Sequence, residues 1–342
     1  MMERSKLKAM VQRAQEGIVE KSRVGVVRNP EGGNKGRFVL FHAAMSFCSQ
    51  KVRATLAQRG SSFDSNDMFI LGHRGADGIL VPAENYAPDY VRLRLQGKAS
   101  MGRLVGAYSG VSSVSNAGLD PCAVPTLVDL DTGEVVVDSS RICVHIDAVI
   151  PGPNRLVPAD PLQLENMQRQ LEAVDLTPHP GLLYGFHPED DRRPAAIKQA
   201  MSSVYEEKIE ALTALIKANG DDAELVTAYQ AKIAKEDGGR KVRYDATFQN
   251  ELRSTTRSIL LKLEGDLRNN EFTWLCAPHV TLADLFWAVS LVRLKYLGLA
   301  ELWSDLPQIQ AYLDRLLELP SIQSEVVAST LASMPPSAYL AA

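Results

Sequence analysis

Strand signals stop halfway along this chain, and that change constrains its fold more than any single motif. After Asp160, six stretches repeat apolar residues every three or four positions: Leu162–Leu176, Ala195–Asn219, Ala223–Glu236, Asp245–Leu267, Leu282–Leu297 and Leu306–Leu319. That spacing predicts helices. Ahead of them, Arg37–His42 reads as a short buried strand, Ser46–Ala57 as a helix and Ser61–Leu71 as a second strand. Val124–Asp138 reads as a hairpin around the turn Asp131-Thr132-Gly133. Ser139–Ile150 continues as a helix, which Pro151-Gly152-Pro153-Asn154 ends. The order β-α-β-loop-β-β-α predicts one mixed sheet with helices on its faces, followed by an all-α domain.

Length fits this division, since 342 residues suggest about two domains. Residues 37–150 are expected to form the α/β domain and 160–325 the helical one, with a charged helical insertion at about 190–243 and a tail at 326–342. Residues 1–37 carry nine Lys/Arg against four Asp/Glu, so this segment is +5 and the remainder −9. Ser5–Glu20 has the makings of a short helix, but Asn29–Asn34 breaks the chain after it, and residues 1–36 read as a mobile or loosely docked basic extension. Residues 72–118 hold eight glycines and five serines and read as loop, with one helical stretch at Pro88–Leu95.

Composition excludes several classes. A net charge of −4 argues against a nucleic-acid-binding polycation. No run of eighteen apolar residues exists; Asp284 and Arg293 interrupt the longest candidate, Leu282–Leu294, so no membrane span is expected. Four cysteines are too few for a disulfide scaffold, and Met1–Met10 has no apolar leader behind it. A reducing, cytoplasmic setting is the expectation.

The chemistry concentrates where the first strand meets its helix. Ser46, Cys48 and Ser49 lie at that helix's start, where unpaired N–H groups and the dipole favour a thiolate. The effect would lower a free thiol by roughly half to one and a half pKa units. Ser46 as a plain N-cap and Cys48 as a buried filler is the alternative. Val124-Pro125 opens a strand with a residue that lacks a ladder N–H, as at a cis bond, leaving the Val124 backbone free for an extended peptide. Asp138-Ser139 puts a carboxylate and a hydroxyl at another helix start, suited to an amino-acid head group or to capping.

Other thiols and histidines offer less. Cys122, just before the Val-Pro strand, could line the site but better suits a packing or loop role; Cys143 and His145 diverge on their helix, and Cys276 with His279 has no further partners, so no metal site is expected. Gly238-Gly239 lacks the context of a phosphate loop, and Arg192-Arg193 reads as a solvated turn.

Over about residues 37–320 these elements resemble the glutathione S-transferase superfamily, through the Ser/Cys loop, Val124–Val128, Asp138-Ser139 and the helix-opening box Thr281-Leu282-Ala283-Asp284. Met45–Arg53, Glu84–Leu93 and Leu183-Tyr184-Gly185 look like the glutathione-dependent hydroquinone reductive dehalogenases within it. The resemblance implies a thioredoxin-like glutathione-binding domain, an all-helical substrate domain and a homodimer. Ser46 would hold the glutathione thiolate, Val124 beside cis-Pro125 its cysteinyl part, and Asp138 and Ser139 its γ-glutamyl head. Cys48 would attack the sulfur of a glutathionyl conjugate formed from a small aromatic substrate. His179 and Tyr184 would face that substrate, and Lys98, Arg103 and Arg94 are candidates for the glycyl carboxylate. Glutathione-dependent aromatic β-ether cleavage or cis–trans isomerisation, and a non-catalytic binding protein of the same fold, are the alternative readings.

Overall fold

The computed structural model describes residues 3–18, 33–98, 118–153 and 155–340. Helix α1 spans Arg4–Glu16, strand β1 Phe38–His42, helix α2 Phe47–Gln58 and strand β2 Asp64–Asp67. The small hairpin β3 (His73–Arg74) and β4 (Leu80–Val81) leads to helix α3, Pro88–Leu95. Strands β5 (Thr126–Asp129) and β6 (Glu134–Val137) then precede helix α4, Ser139–Val149. The main sheet has the order β2-β1-β5-β6. Strand β1 runs parallel to β2 and antiparallel to β5, with Leu40 opposite Leu127 and Leu127 opposite Val136.

Both faces of this sheet are covered, which is why β1 is an unbroken apolar run rather than an alternating one. Successive side chains point to opposite faces. Phe38 and Leu40 pack with Val52, Leu56, Ile142 and Ile146 from α2 and α4. Val39 and Phe41 pack instead with Leu7, Met10, Tyr90 and Leu93 from α1 and α3.

The second cluster corrects the reading of the N-terminus as a mobile or loosely docked arm. Leu7, Met10, Val11 and Ala14 fall at helical spacing on one side of α1 and are buried. The basic residues occupy its other faces, so the charge excess concealed an amphipathic helix that closes the sheet. Leu7→Ala should lower stability by about 2–5 kcal/mol through the cavity left beneath Tyr90, measured by urea unfolding. Residues 19–32 of the extension lie outside the described residues.

The helical half comprises α5 (Pro161–Leu176), α6 (His179–Tyr184), α7 (Ala195–Ala218), α8 (Ala223–Val242), α9 (Ala246–Arg268), α10 (Leu282–Tyr296) and α11 (Pro307–Leu317). Helix α10 is buried on every side, as the core helix of a bundle should be when apolar residues surround its axis. Asp284 opens it by accepting from the Thr281 N–H at 2.8 Å, the Thr281 hydroxyl at 2.8 Å, the Leu275 N–H at 3.0 Å and the Tyr312 hydroxyl at 2.7 Å. Among the described residues no helix is long and apolar enough to cross a membrane.

Two parts of this half depart from the sequence reading. The segment expected as a tail from residue 326 is helical as far as Ser333, continuing the helical run that opens at Pro320, and lies on α2, with Val326, Ser329 and Thr330 buried. Gln50 donates to the Thr330 hydroxyl at 2.9 Å there. Arg193, expected in a solvated turn, is buried over the Phe186 ring and paired with Asp191.

The charged insertion folds as the hairpin α7–α8 and reaches the sheet-bearing half. Leu212, Leu225 and Tyr229 pack with Tyr86, Val91 and Leu95. The Tyr229 hydroxyl donates to the Tyr86 carbonyl at 2.7 Å, and Arg92 pairs with Asp222 at 2.9 Å. Gly239 sits against Tyr205: a Cβ there would lie 2.6 Å from the phenolic oxygen, so this glycine serves helix packing.

Candidate active site

The turn from β1 into α2 is fixed by its backbone hydrogen bonds. Its carbonyls at Ala43 and Ala44 accept from Arg53, and that of Met45 accepts from Arg293 at 2.6 Å. Ala44 N–H donates to Asp67 at 2.8 Å, and Ala43 N–H to the Ser49 hydroxyl at 3.2 Å. Ser46 caps α2, its hydroxyl oxygen accepting from the Ser49 N–H at 3.3 Å. Capping uses only a lone pair, so the Ser46 O–H remains able to donate to an anion in front of it. The two roles weighed for Ser46 are therefore compatible.

Cys48 sits in the first turn of α2 and is half-buried, whereas Cys122, Cys143 and Cys276 are buried. Its thiol pKa is pushed up rather than down, against the expectation from the helix dipole. Burial is the main cause, and the Asp175 and Asp138 carboxylates add to it. Lys51 and a hydrogen bond with Ser139 oppose the rise. Lys51 is itself buried between the rings of Phe47 and Phe286, and Asp175 holds it at 2.6 Å. Its positive charge is thereby largely answered. Burial pushes Cys122 and Cys143 up to about 12, consistent with packing roles.

In front of Cys48 lies a cleft of about 430 Å³. Its sheet-side wall includes Met45, Ser46, Phe47, Cys48 and Val124, and the Val124–Pro125 peptide is cis. Among the described residues no hydrogen bond engages the Val124 N–H or C=O. The helical wall brings His179 and Tyr184 to the same cleft, together with Tyr205, Lys208, Lys232 and Arg293. His179 is stacked on Phe47 at 4.1 Å, and its Nε2 lies 2.9 Å from the Ser290 hydroxyl. Tyr184 carries the Lys208 ammonium 4.5 Å above its ring.

Asp138 and Ser139 are not in that wall. Both are buried; Asp138 caps α4 through the Ser140 N–H at 3.1 Å, and Ser139 reaches the Cys48 thiol from behind. The expected glycyl-carboxylate candidates do not line the cleft either. Arg94 is buried, its guanidinium donating to the Asp120 and Pro125 carbonyls and the Thr126 hydroxyl, and Lys98 pairs with Glu224 at 3.6 Å. Arg103 lies outside the described residues. The cleft's ammonium groups come from the insertion instead: Lys208 pairs with Glu236, while Lys232 and Lys235 pair with Asp120. Lys208, Lys232 and Arg293 were missed because they belong to helices whose inward faces only the packed bundle defines.

Comparison with known proteins supports the family resemblance. Residues 226–324 match the family described as glutathione S-transferase, C-terminal domain. The chain is 39% identical over 295 residues to 2,5-dichlorohydroquinone reductive dechlorinase of Sphingobium indicum, covering 85% of this chain and 82% of the relative. It is 24% identical over 279 residues to tetrachloro-p-hydroquinone reductive dehalogenase of Sphingobium chlorophenolicum, covering 81% and 90%. A beta-etherase structure from Sphingobium sp. strain SYK-6 superposes with a TM-score of 0.53 at 20% identity, covering 84% of this chain and 98% of that one. That last likeness concerns the fold alone. The thiol at the β1–α2 turn, the cis Val124–Pro125 peptide and the helical half closing over both are thus joined to a relative of high identity along most of its length: the chain belongs to the glutathione S-transferase superfamily and groups there with the hydroquinone reductive dehalogenases.

Proposed function

We propose that the protein is a glutathione-dependent reductive dehalogenase acting on a halogenated hydroquinone. The observation that carries this reading is the half-buried Cys48 two residues beyond the Ser46 hydroxyl, both lining one cleft with Val124. Glutathione would lie along the Val124 backbone with its sulfur at Ser46. The glutathione thiolate displaces halide from the ring and forms a thioether. Cys48 then attacks that sulfur: an S–S bond forms, the ring C–S bond breaks, and its electron pair stays with the ring, which gains a proton. A second glutathione reduces the mixed disulfide. Two thiols are oxidised for each carbon–halogen bond replaced by carbon–hydrogen.

The test mixes the protein with glutathione and a dichlorohydroquinone, following halide release and the mass of Cys48-bearing peptides. Halide release with a glutathionylated Cys48 is expected; thioether formation without that adduct would favour transfer or isomerisation chemistry. Absence of any glutathione affinity would leave only a binding protein of this fold. Ser46→Ala should slow conjugate formation about a hundredfold, as losing one donor to a developing or bound anion does, with little change in affinity for S-methylglutathione. Homodimer formation is proposed with the family reading and is checked by solution molecular mass.

A further inference from the structure

The cations of the cleft are not equivalent. Lys208, Lys232 and Lys235 are answered by Glu236 and Asp120, and Lys51 behind the thiol by Asp175. Arg293 is 4% exposed, lines the cleft, and has no carboxylate within ion-pair distance among the described residues. Its Nη2 donates to the Met45 carbonyl at 2.6 Å, while its Nε has no hydrogen-bond partner among them. A buried guanidinium without an anion is costly, and an unsatisfied buried N–H adds to that cost. Burial lowers its pKa to about 10, which leaves it charged at neutral pH.

Its neighbours point the same way. Ser290, one turn earlier on α10, holds His179 Nε2, and His179 Nδ1 is a second buried polar atom without a partner among the described residues. Burial, reinforced by Arg293 and Lys51, keeps His179 uncharged. Arg293 and His179 line the same cleft as Cys48 and Tyr184. The cleft therefore offers, beside the thiol, one unanswered positive charge and one neutral imidazole.

We infer that Arg293, flanked by His179, forms a phenolate-oxygen subsite that binds the ring oxygen adjacent to the carbon undergoing substitution. The inference rests on the dehalogenase reading and gives it a residue that the thiol chemistry requires. In the glutathionyl hydroquinone, moving the proton of that ring hydroxyl to the sulfur-bearing carbon gives a ketone next to a carbon–sulfur bond. Attack of the Cys48 thiolate on sulfur then forms the S–S bond and breaks C–S, and the released pair moves through the ring onto this oxygen. Product leaves as a hydroquinone phenolate with hydrogen where sulfur had been. The oxygen is neutral before the step and anionic after it, so a guanidinium aimed there stabilises the transition state more than the ground state.

The experiment uses 4-nitrophenol, which has no halogen to lose and whose phenolate absorbs at a longer wavelength than the phenol. Wild-type protein loaded with S-methylglutathione should bind it preferentially as phenolate, lowering its apparent pKa. R293Q should weaken phenolate binding tenfold or more and abolish the spectral shift, and R293K should restore part of both. With a chlorohydroquinone, R293Q should lower kcat more than it raises KM. Glutathione affinity measured on each variant reports whether the β1–α2 turn, which Arg293 also braces, is intact. Wild-type phenolate affinity in an R293Q protein that still binds glutathione would overturn the subsite. If wild-type protein shows Arg293-dependent phenolate binding but releases no halide, the dehalogenase reading fails while the subsite stands.

Discussion

Cys48→Ser should carry the reaction as far as the glutathionyl conjugate and no further. Conjugate formation depends on glutathione's own sulfur at Ser46, so halide release should persist and the glutathionyl hydroquinone should accumulate. Only the second step needs a sulfur nucleophile from the protein, and a serine hydroxyl does not supply one at neutral pH. Multi-turnover reduction should fall at least a thousandfold, read as loss of dechlorinated hydroquinone and of oxidised glutathione, with stability little changed at this half-buried position. The pH dependence of that step in the wild type follows from the thiol's surroundings. Burial and two carboxylates raise the Cys48 pKa, so the thiol is protonated at neutral pH and the reactive thiolate fraction grows as pH rises. Single-turnover reduction of preformed conjugate should climb about tenfold per pH unit and continue past the ordinary thiol value of about 8.5. A plateau at or below neutrality would show that bound substrate or Lys51 ionises the thiol instead. Full multi-turnover reduction by Cys48→Ser would refute the two-step scheme.

The parts legible in sequence were those fixed by local rules. The apolar run of β1, the hairpin turn at Asp131–Gly133 and the Thr281–Asp284 cap each declare themselves within a few residues, because strand burial, turn chemistry and capping are short-range demands. Ser46, Cys48, Val124, His179 and Tyr184 converge on one cleft for the same reason, each sitting at an element boundary recognisable in the chain. Asp138-Ser139 shows the limit of that approach: the cap was legible, but the burial that removes both side chains from the cleft wall was not. The direction of the Cys48 shift was misread for a related reason. A helix start argues for ionisation, but desolvation by the surrounding fold is the larger effect, and it depends on the helical half packing over the turn. Arg293 is legible only as a break in the apolar run Leu282–Leu294; its place at the cleft depends on burial between the two halves.

Arg53→Met should unfold the protein far more readily than any single change at the cleft. Its guanidinium is fully buried and supplies bonds to both sides of the molecule. It donates to the Ala43 carbonyl at 3.2 Å and the Ala44 carbonyl at 3.1 Å within the β1–α2 turn. It also donates to the Glu325 carbonyl at 3.0 Å, the Glu325 carboxylate at 3.2 Å and the Ser329 hydroxyl in the C-terminal helical segment. Methionine keeps much of the volume but removes every donor: the Ala43 carbonyl is left with the Ser46 N–H, the Ala44 carbonyl with the Ser329 hydroxyl, and one partly buried carboxylate is left without its cation. The expected loss is about 3–5 kcal/mol, the cost of breaking a buried pair from one side. Glu325→Gln is the informative partner. Glu325 is partly exposed and keeps its backbone acceptor, so its loss should be about 1–2 kcal/mol. Urea unfolding of both, with glutathione affinity measured on the folded fraction, separates the two consequences of the design. The Ala43–Ser46 turn is held by Arg53 from below and by Arg293 from the cleft. Weakened glutathione binding in folded Arg53→Met protein, with binding retained in Glu325→Gln, would place the hold on Ser46 in the turn carbonyls. Equal stability losses in the two variants would place it in the ion pair instead.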